Sequence, residues 1–267
     1  AYSVPYTYGM VGIIYNTEMT DAEDVTGWDI MWNEKYKGKI LQFNNPRDAF
    51  GTAMYRAGID VNTTLPEQWD RAAEALSLQK PLIQSYVMDE IFNKMKNGSA
   101  AIAPYYAGDF LSMYEDNDVL AFLYPPEGTN VYMDAFCIPT TTRQKEVAER
   151  YIDFMLSEEP AVANAEYTYY ASPNTLVTES EEYRECMAEI HPDAFAILYP
   201  ENDRYPCTYY ENLPAETLSY SNTLWEKLKI QNSIEPWIYV LSIAIVAFLI
   251  ALMVWKIIRK KMRERYY

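Results

Sequence analysis

The chain has 267 residues, with 38 Asp and Glu against 22 Lys and Arg and a formal charge of −16. So acidic a surface repels nucleic acid and argues against it as a partner. A single histidine and three cysteines in no CxxC spacing leave little ground for a His-based metal site or a Ser-His-Asp triad.

No GxSxG, P-loop or GxGxxG occurs, so no enzyme activity, cofactor or metal is expected. The 25 tyrosines offer aromatic faces with hydroxyls, which suit amphipathic ligands or half-buried positions.

Taken in order, 1–15 reads as extended: Val4, Tyr6 and Tyr8 alternate, and Met10–Tyr15 is an apolar run fitting a buried strand. Thr26 is expected to cap a short helix around Trp28–Trp32. Ile40–Phe43 is a strand, and Pro46 starts a helix over 47–57. Helices are predicted over 65–78, 88–96 and 109–115, with extended pieces at 79–85, 100–106, 119–124 and 130–139. This alternation predicts an α/β fold with mostly parallel sheets. Residues 146–156 form an amphipathic helix with Val147, Tyr151, Phe154 and Met155 on one face. Further helices are predicted at 160–167, at 180–189 with Ser180 as N-cap, and at 215–229.

Trp237–Trp255, WIYVLSIAIVAFLIALMVW, carries no charge, Gly or Pro. As a helix it is about 28 Å long, the length of a transmembrane span. Six Lys/Arg against one Glu follow in 256–265, which predicts a cytoplasmic tail over 256–267 and an outward-facing acidic domain.

VPYTYGMVGIIYN, GWDIMWNEKYKGKILQFNNPRDAF, AAIAPYYAG, YMDAFCIPTTTRQKEVAERYIDFML and YYASPN together resemble the spermidine/putrescine-binding proteins, the extracytoplasmic subunits of polyamine ABC importers. The resemblance implies a two-lobe, periplasmic-binding-protein-like (type II) α/β fold with ligand in the cleft. It assigns 1–132 to the crossover and most of the second lobe, 133–184 to the returning first lobe and 185–230 to the rest of the second. A linker at 231–236 and the span at 237–255 follow. The first lobe is expected to be incomplete at its amino-terminal end.

The resemblance also implies a ligand site. Polyamines need carboxylates spaced along a cleft and aromatic walls for their methylenes. Asn45 and Asp48 fall where the family carries two acids, Ser85 on a family serine, and Tyr105 and Tyr132 on two ligand-sandwiching tryptophans. Asp134 matches the acid between the lobes, and its apolar neighbours make an unpaired burial costly. Tyr170 matches a family tyrosine; Glu211 falls on a glutamine, where its charge would offset the one missing at Asn45. Asp109, outside the matched positions, is expected to matter far less to binding than Asp134. Without the resemblance, Asp48 reads as a first-turn acid favoured by the helix dipole, and Tyr105 and Tyr132 as core aromatics.

The implied partners are a polyamine, the permease subunits of an ABC importer and the membrane. Two alternatives stay open: ferric or other solute binding, given the pairs Tyr105-Tyr106, Tyr169-Tyr170 and Tyr209-Tyr210, and a ligand-sensing ectodomain. Cys186 and Cys207 are close enough in sequence to pair, and Cys137 is expected to be a buried free thiol.

Overall fold

The computed structural model describes residues 3–201, 204–230 and 236–265. β1 (Val4–Asn16) opens the chain, and its apolar run is buried. A short 3-10 turn at Trp28–Trp32 follows, capped by Gly27 and not by Thr26. The Trp28 N–H instead donates to the Glu127 carboxylate at 3.0 Å, a cap brought in from far along the chain. β2 (Ile40–Phe43) is wholly buried and leads into α1 (Pro46–Arg56). Asn45 caps α1 by accepting the Arg47 N–H at 2.9 Å.

α2 (Pro66–Gln79), β3 (Ile83–Val87), α3 (Glu90–Lys96), β4 (Ile102–Tyr106) and α4 (Ala107–Asp116) continue the alternation, then β5 (Leu120–Leu123) and β6 (Thr129–Phe136). A helical stretch follows: α5 (Lys145–Leu156), α6 (Glu158–Thr168), α7 (Thr175–Thr178), α8 (Glu181–Ile190) and α9 (Ala194–Leu198). β7 (Cys207–Tyr209) and α10 (Ala215–Ile230) come next, then α11 (Pro236–Arg265). Ser180 caps α8 as expected, accepting the Tyr183 N–H at 3.2 Å. α7, α9 and β7 are too short to show a periodicity, which is why the sequence reading lacked them.

The strand order is β3-β2-β4-β1-β6-β7, with β5 also pairing β1. β2 runs parallel to β3 and β4, and β6 parallel to β7. β1 is antiparallel to β4, β5 and β6, so the expected mostly parallel sheet is in fact mixed. The reason is the length of β1, 13 residues. Its first half pairs with β6, Tyr8 opposite Met133, and its second half with β4 and β5, Gly12 opposite Tyr105.

Trp28, Trp69, Phe43, Phe50 and Phe110 fill the core between this sheet and the helices that cover it. α5 is different: none of its residues is buried, and Val147, Tyr151 and Phe154 are exposed. Cys137, just past β6, is exposed too, against the expectation of burial. Cys186 and Cys207 are also free thiols, so the pairing is not formed. Cys186 sits on α8, whereas the Cys207 thiol points at Met10 Sδ, 3.2 Å away.

Chain contacts divide the protein into Ala1–Trp225 and Glu226–Tyr267. In the second unit α11 is one continuous helix with exposed apolar residues between Val240 and Ile258. Among the described residues no helix is long and apolar enough to cross a membrane, so the predicted span is not supported.

Candidate functional site

A cleft of ≈ 380 Å³ opens at the carboxyl ends of three strands, where open α/β sheets place ligands. The turn after β2 contributes Asn45, Arg47 and Asp48. β4 contributes Tyr106 and the segment after β7 contributes Tyr210. β6 offers Asn130, Tyr132 and Asp134 from one face, as its period of two requires. Tyr170 arrives from beyond α6, whose last turn ends at Tyr169 in the left-handed conformation (φ 58°). The backbone around it is pinned to β1 by the Tyr8 N–H, which donates to the Ala171 carbonyl at 2.9 Å.

Asp48 is the most deeply set acid of this wall, 6% exposed. Its Oδ2 accepts from Asn45 Nδ2 at 2.8 Å and from the Tyr106 hydroxyl at 3.0 Å. Burial pushes its carboxyl up, against the opposing pull of the Tyr106 and Tyr210 hydroxyls and of Arg47. Arg47 does not pair with it. Its guanidinium lies 4.5 Å over the Tyr210 ring and donates to Asn62 Oδ1 at 2.8 Å. No ion pair within 4 Å to Asp48 occurs among the described residues. A buried carboxylate held by neutral donors alone keeps a large part of its desolvation cost unmet, and a cation placed in the cleft would meet it.

The aromatic walls are Tyr106, Tyr132, Tyr170 and Tyr210. The Tyr132 ring stands edge-on to Tyr106 at 5.1 Å and to Tyr170 at 6.4 Å between centroids. Among the described residues the hydroxyls of Tyr132 and Tyr210 are buried and make no hydrogen bond of ordinary geometry. Burial, reinforced by nearby carboxylates, pushes Tyr106, Tyr132, Tyr170 and Tyr210 above the ordinary phenol value, so all four are neutral at pH 7. The Tyr132 ring lies over Gly9, its cross-strand partner, where any Cβ would collide with the hydroxyl and come within 2.8 Å of Cζ. Gly9→Ala is therefore expected to push the ring into the cleft and weaken binding of an aliphatic cation about tenfold, read by calorimetry.

Of the residues expected from the sequence, Asn45, Asp48, Tyr132, Asp134 and Tyr170 line the cleft. Tyr105, Ser85 and Glu211 do not. Tyr105 is 3% exposed and packs against Phe43 and Phe92 in the core, with ring centroids 5.7 and 6.2 Å away. Tyr106 takes its place because consecutive strand residues face opposite ways. Ser85 Oγ is buried on β3, outside the cleft wall, with no hydrogen-bond partner among the described residues. Glu211 is exposed, its N–H donating to Asn62 Oδ1 at 2.9 Å, while Tyr210 before it faces the ligand space. Asp134 is exposed, accepting from Thr7 Oγ1 at 3.0 Å, so the argument from costly burial does not apply to it here. The β6 alternation through Tyr132 and Asp134 was the available signal for Asn130; Arg47 and Tyr210 had none.

A model of the family described as bacterial extracellular solute-binding proteins matches residues 1–188. The chain belongs to that family. Its relatives include the spermidine/putrescine-binding periplasmic protein of Salmonella typhimurium, 30% identical over 65% of this chain and 50% of the relative. The protein of the same description from Escherichia coli is 29% identical over 85% of this chain and 64% of its own length. A solved structure from Listeria monocytogenes superposes with a TM-score of 0.77 at 31% identity, over 86% of this chain and 70% of that one. The chain thus spans about half to two thirds of the length of the curated relatives it matches. The relatives are binding proteins, in agreement with the reading of the chain as no enzyme.

Proposed function

We propose that this domain captures a polyamine of the spermidine/putrescine class outside the cytoplasm and delivers it to the permease subunits of an ABC importer. The observation that carries the reading is Asp48, a buried carboxylate held only by neutral donors in a tyrosine-walled cleft. An ammonium supplies the missing charge, and the rings of Tyr106, Tyr132, Tyr170 and Tyr210 supply surface for the methylenes. Asp134 at the cleft mouth is a further acid for the chain to meet. The printed descriptions of the Salmonella and Escherichia relatives support the ligand class.

Tyr106, Tyr170 and Tyr210 are also the hydroxyls a ferric tyrosinate site would use. The polyamine proposal includes a two-lobe division at 132/133 and 184/185. A membrane anchor through Trp237–Trp255 rests on the sequence of that stretch alone.

Isothermal calorimetry with putrescine, spermidine and ferric citrate tests the ligand. Binding of either polyamine with micromolar or tighter affinity supports the reading; heat with ferric citrate alone overturns it. For the anchor, carbonate extraction of membranes decides: release of the full chain counts against a spanning helix.

A further inference from the structure

Tyr210 reaches the cleft from a segment that has just left the sheet. β7 ends at Tyr209, and 210–214 lie outside any strand or helix. The backbone groups there need partners from elsewhere.

Asn62, in the loop between α1 and α2, supplies them. Its Nδ2 donates to the Tyr209 carbonyl at 2.8 Å, and its Oδ1 accepts the Glu211 N–H at 2.9 Å. One planar amide thus grips the backbone on both sides of Tyr210, as an adjacent strand would. The loop that presents Asn62 is fixed in turn. The Asn62 N–H donates to Asp60 Oδ1 at 2.9 Å, and the Thr63 carbonyl accepts from the buried Trp69 Nε1 at 3.0 Å.

The same Oδ1 also accepts from Arg47 Nη2 at 2.8 Å. The Arg47 guanidinium lies 4.5 Å over the Tyr210 ring and 5.7 Å over that of Trp69. The tip of the Tyr210 ring rests on α1 at Gly51, where any Cβ would collide with the hydroxyl. Arg47 and Gly51 are four residues apart and share one face of α1. That face meets the ring at its flat side and at its tip, while Asn62 holds the backbone that carries it.

We propose that Asn62 is a positioning residue of the cleft, which sets Tyr210 against the ligand without touching the ligand itself. Asn62 is absent from the cleft lining, whereas Tyr210 is part of it. A ring already held in place costs a ligand nothing to order on binding. The effect on affinity rests on the polyamine reading; the clamp on residues 209–211 does not.

Calorimetry with putrescine compares the parent, Asn62→Ala, Tyr210→Leu and the double variant. Asn62→Ala should weaken binding roughly 5- to 20-fold, and Tyr210→Leu at least as much. The double variant should bind within about twofold of Tyr210→Leu, because Asn62 acts through that ring. Asn62→Ser, too short to bridge both backbone groups, should show the same pattern and replaces the alanine variant where that one does not fold. Losses that multiply in the double variant would show a general structural role and overturn the inference. So would parent affinity in folded Asn62→Ala.

The clamp also has a readout that needs no ligand. The Glu211 amide hydrogen should exchange with solvent at least about tenfold faster in Asn62→Ala than in the parent. The Tyr183 amide, held by Ser180 on another element, should keep its rate. An unchanged Glu211 rate overturns the clamp. A parent that binds no polyamine removes the proposed function, and the exchange of Glu211 then decides the clamp by itself.

Discussion

Asp48→Asn should cost about 2–5 kcal/mol of affinity for putrescine or spermidine, roughly thirty-fold to several thousand-fold. The substitution keeps the shape and the partners Asn45 and Tyr106 but removes the charge that the ammonium meets. The expected loss is large because the carboxylate is buried, 6% exposed, so water screens the pair little. Asp134→Asn is expected to lose less, since Asp134 is exposed in the open cleft, and Glu23→Gln, on an exposed turn, should be neutral.

The same variant should move stability the other way. The folded carboxyl of Asp48 is raised above its unfolded value. A raised acid favours the folded state below the unfolded pKa, and that advantage is lost as pH rises through the folded pKa. At pH 7 the free protein carries the cost of the buried charge. Asp48→Asn should then melt at the same temperature as the parent or higher at pH 7, with the gain shrinking as pH falls towards 4. Scanning calorimetry without ligand checks it. A variant that melts well below the parent at pH 7 would mean that the carboxylate holds the wall together.

Trp69→Ala is expected to cost about 3–5 kcal/mol of folding stability, read as a shift in the urea midpoint. Trp69 is 1% exposed, so its removal leaves a cavity in the core. Its ring meets Phe50 edge-on at 5.2 Å and carries the Arg47 guanidinium at 5.7 Å; its Nε1 donates to the Thr63 carbonyl at 3.0 Å. Phe50 and Arg47 flank Asp48 on α1, so the variant should also weaken ligand binding in whatever fraction folds. Against a typical domain stability of about 5–15 kcal/mol, such a loss is a large share of the total. A loss under about 1 kcal/mol would mean that α1 closes over the cavity. Trp69→Phe keeps most of the volume and should lose less than half as much.

Much of this architecture is written locally. The apolar run of β1, the Pro46 start of α1, the Ser180 cap and the small-residue strand β4 each need only a few adjacent residues to specify them. The candidate acids Asp48 and Asp134, with Tyr132, Tyr170 and Asn45, were also legible, through motifs carried by short contiguous segments. What the sequence could not decide was which of two neighbouring side chains faces the cleft. Tyr105 and Tyr106 differ by one step along a strand, and the choice between them depends on register with β1, Val11 opposite Tyr106. That pairing joins residues far apart in the chain, so no local pattern encodes it. The same holds for Tyr210 over Glu211, and for the antiparallel setting of β1 between β4 and β6. It holds most of all for Asn62, an ordinary loop residue in sequence. Its partners Tyr209 and Glu211 lie 147 and 149 residues on, and a contact between segments so far apart exists only once the fold has set them side by side.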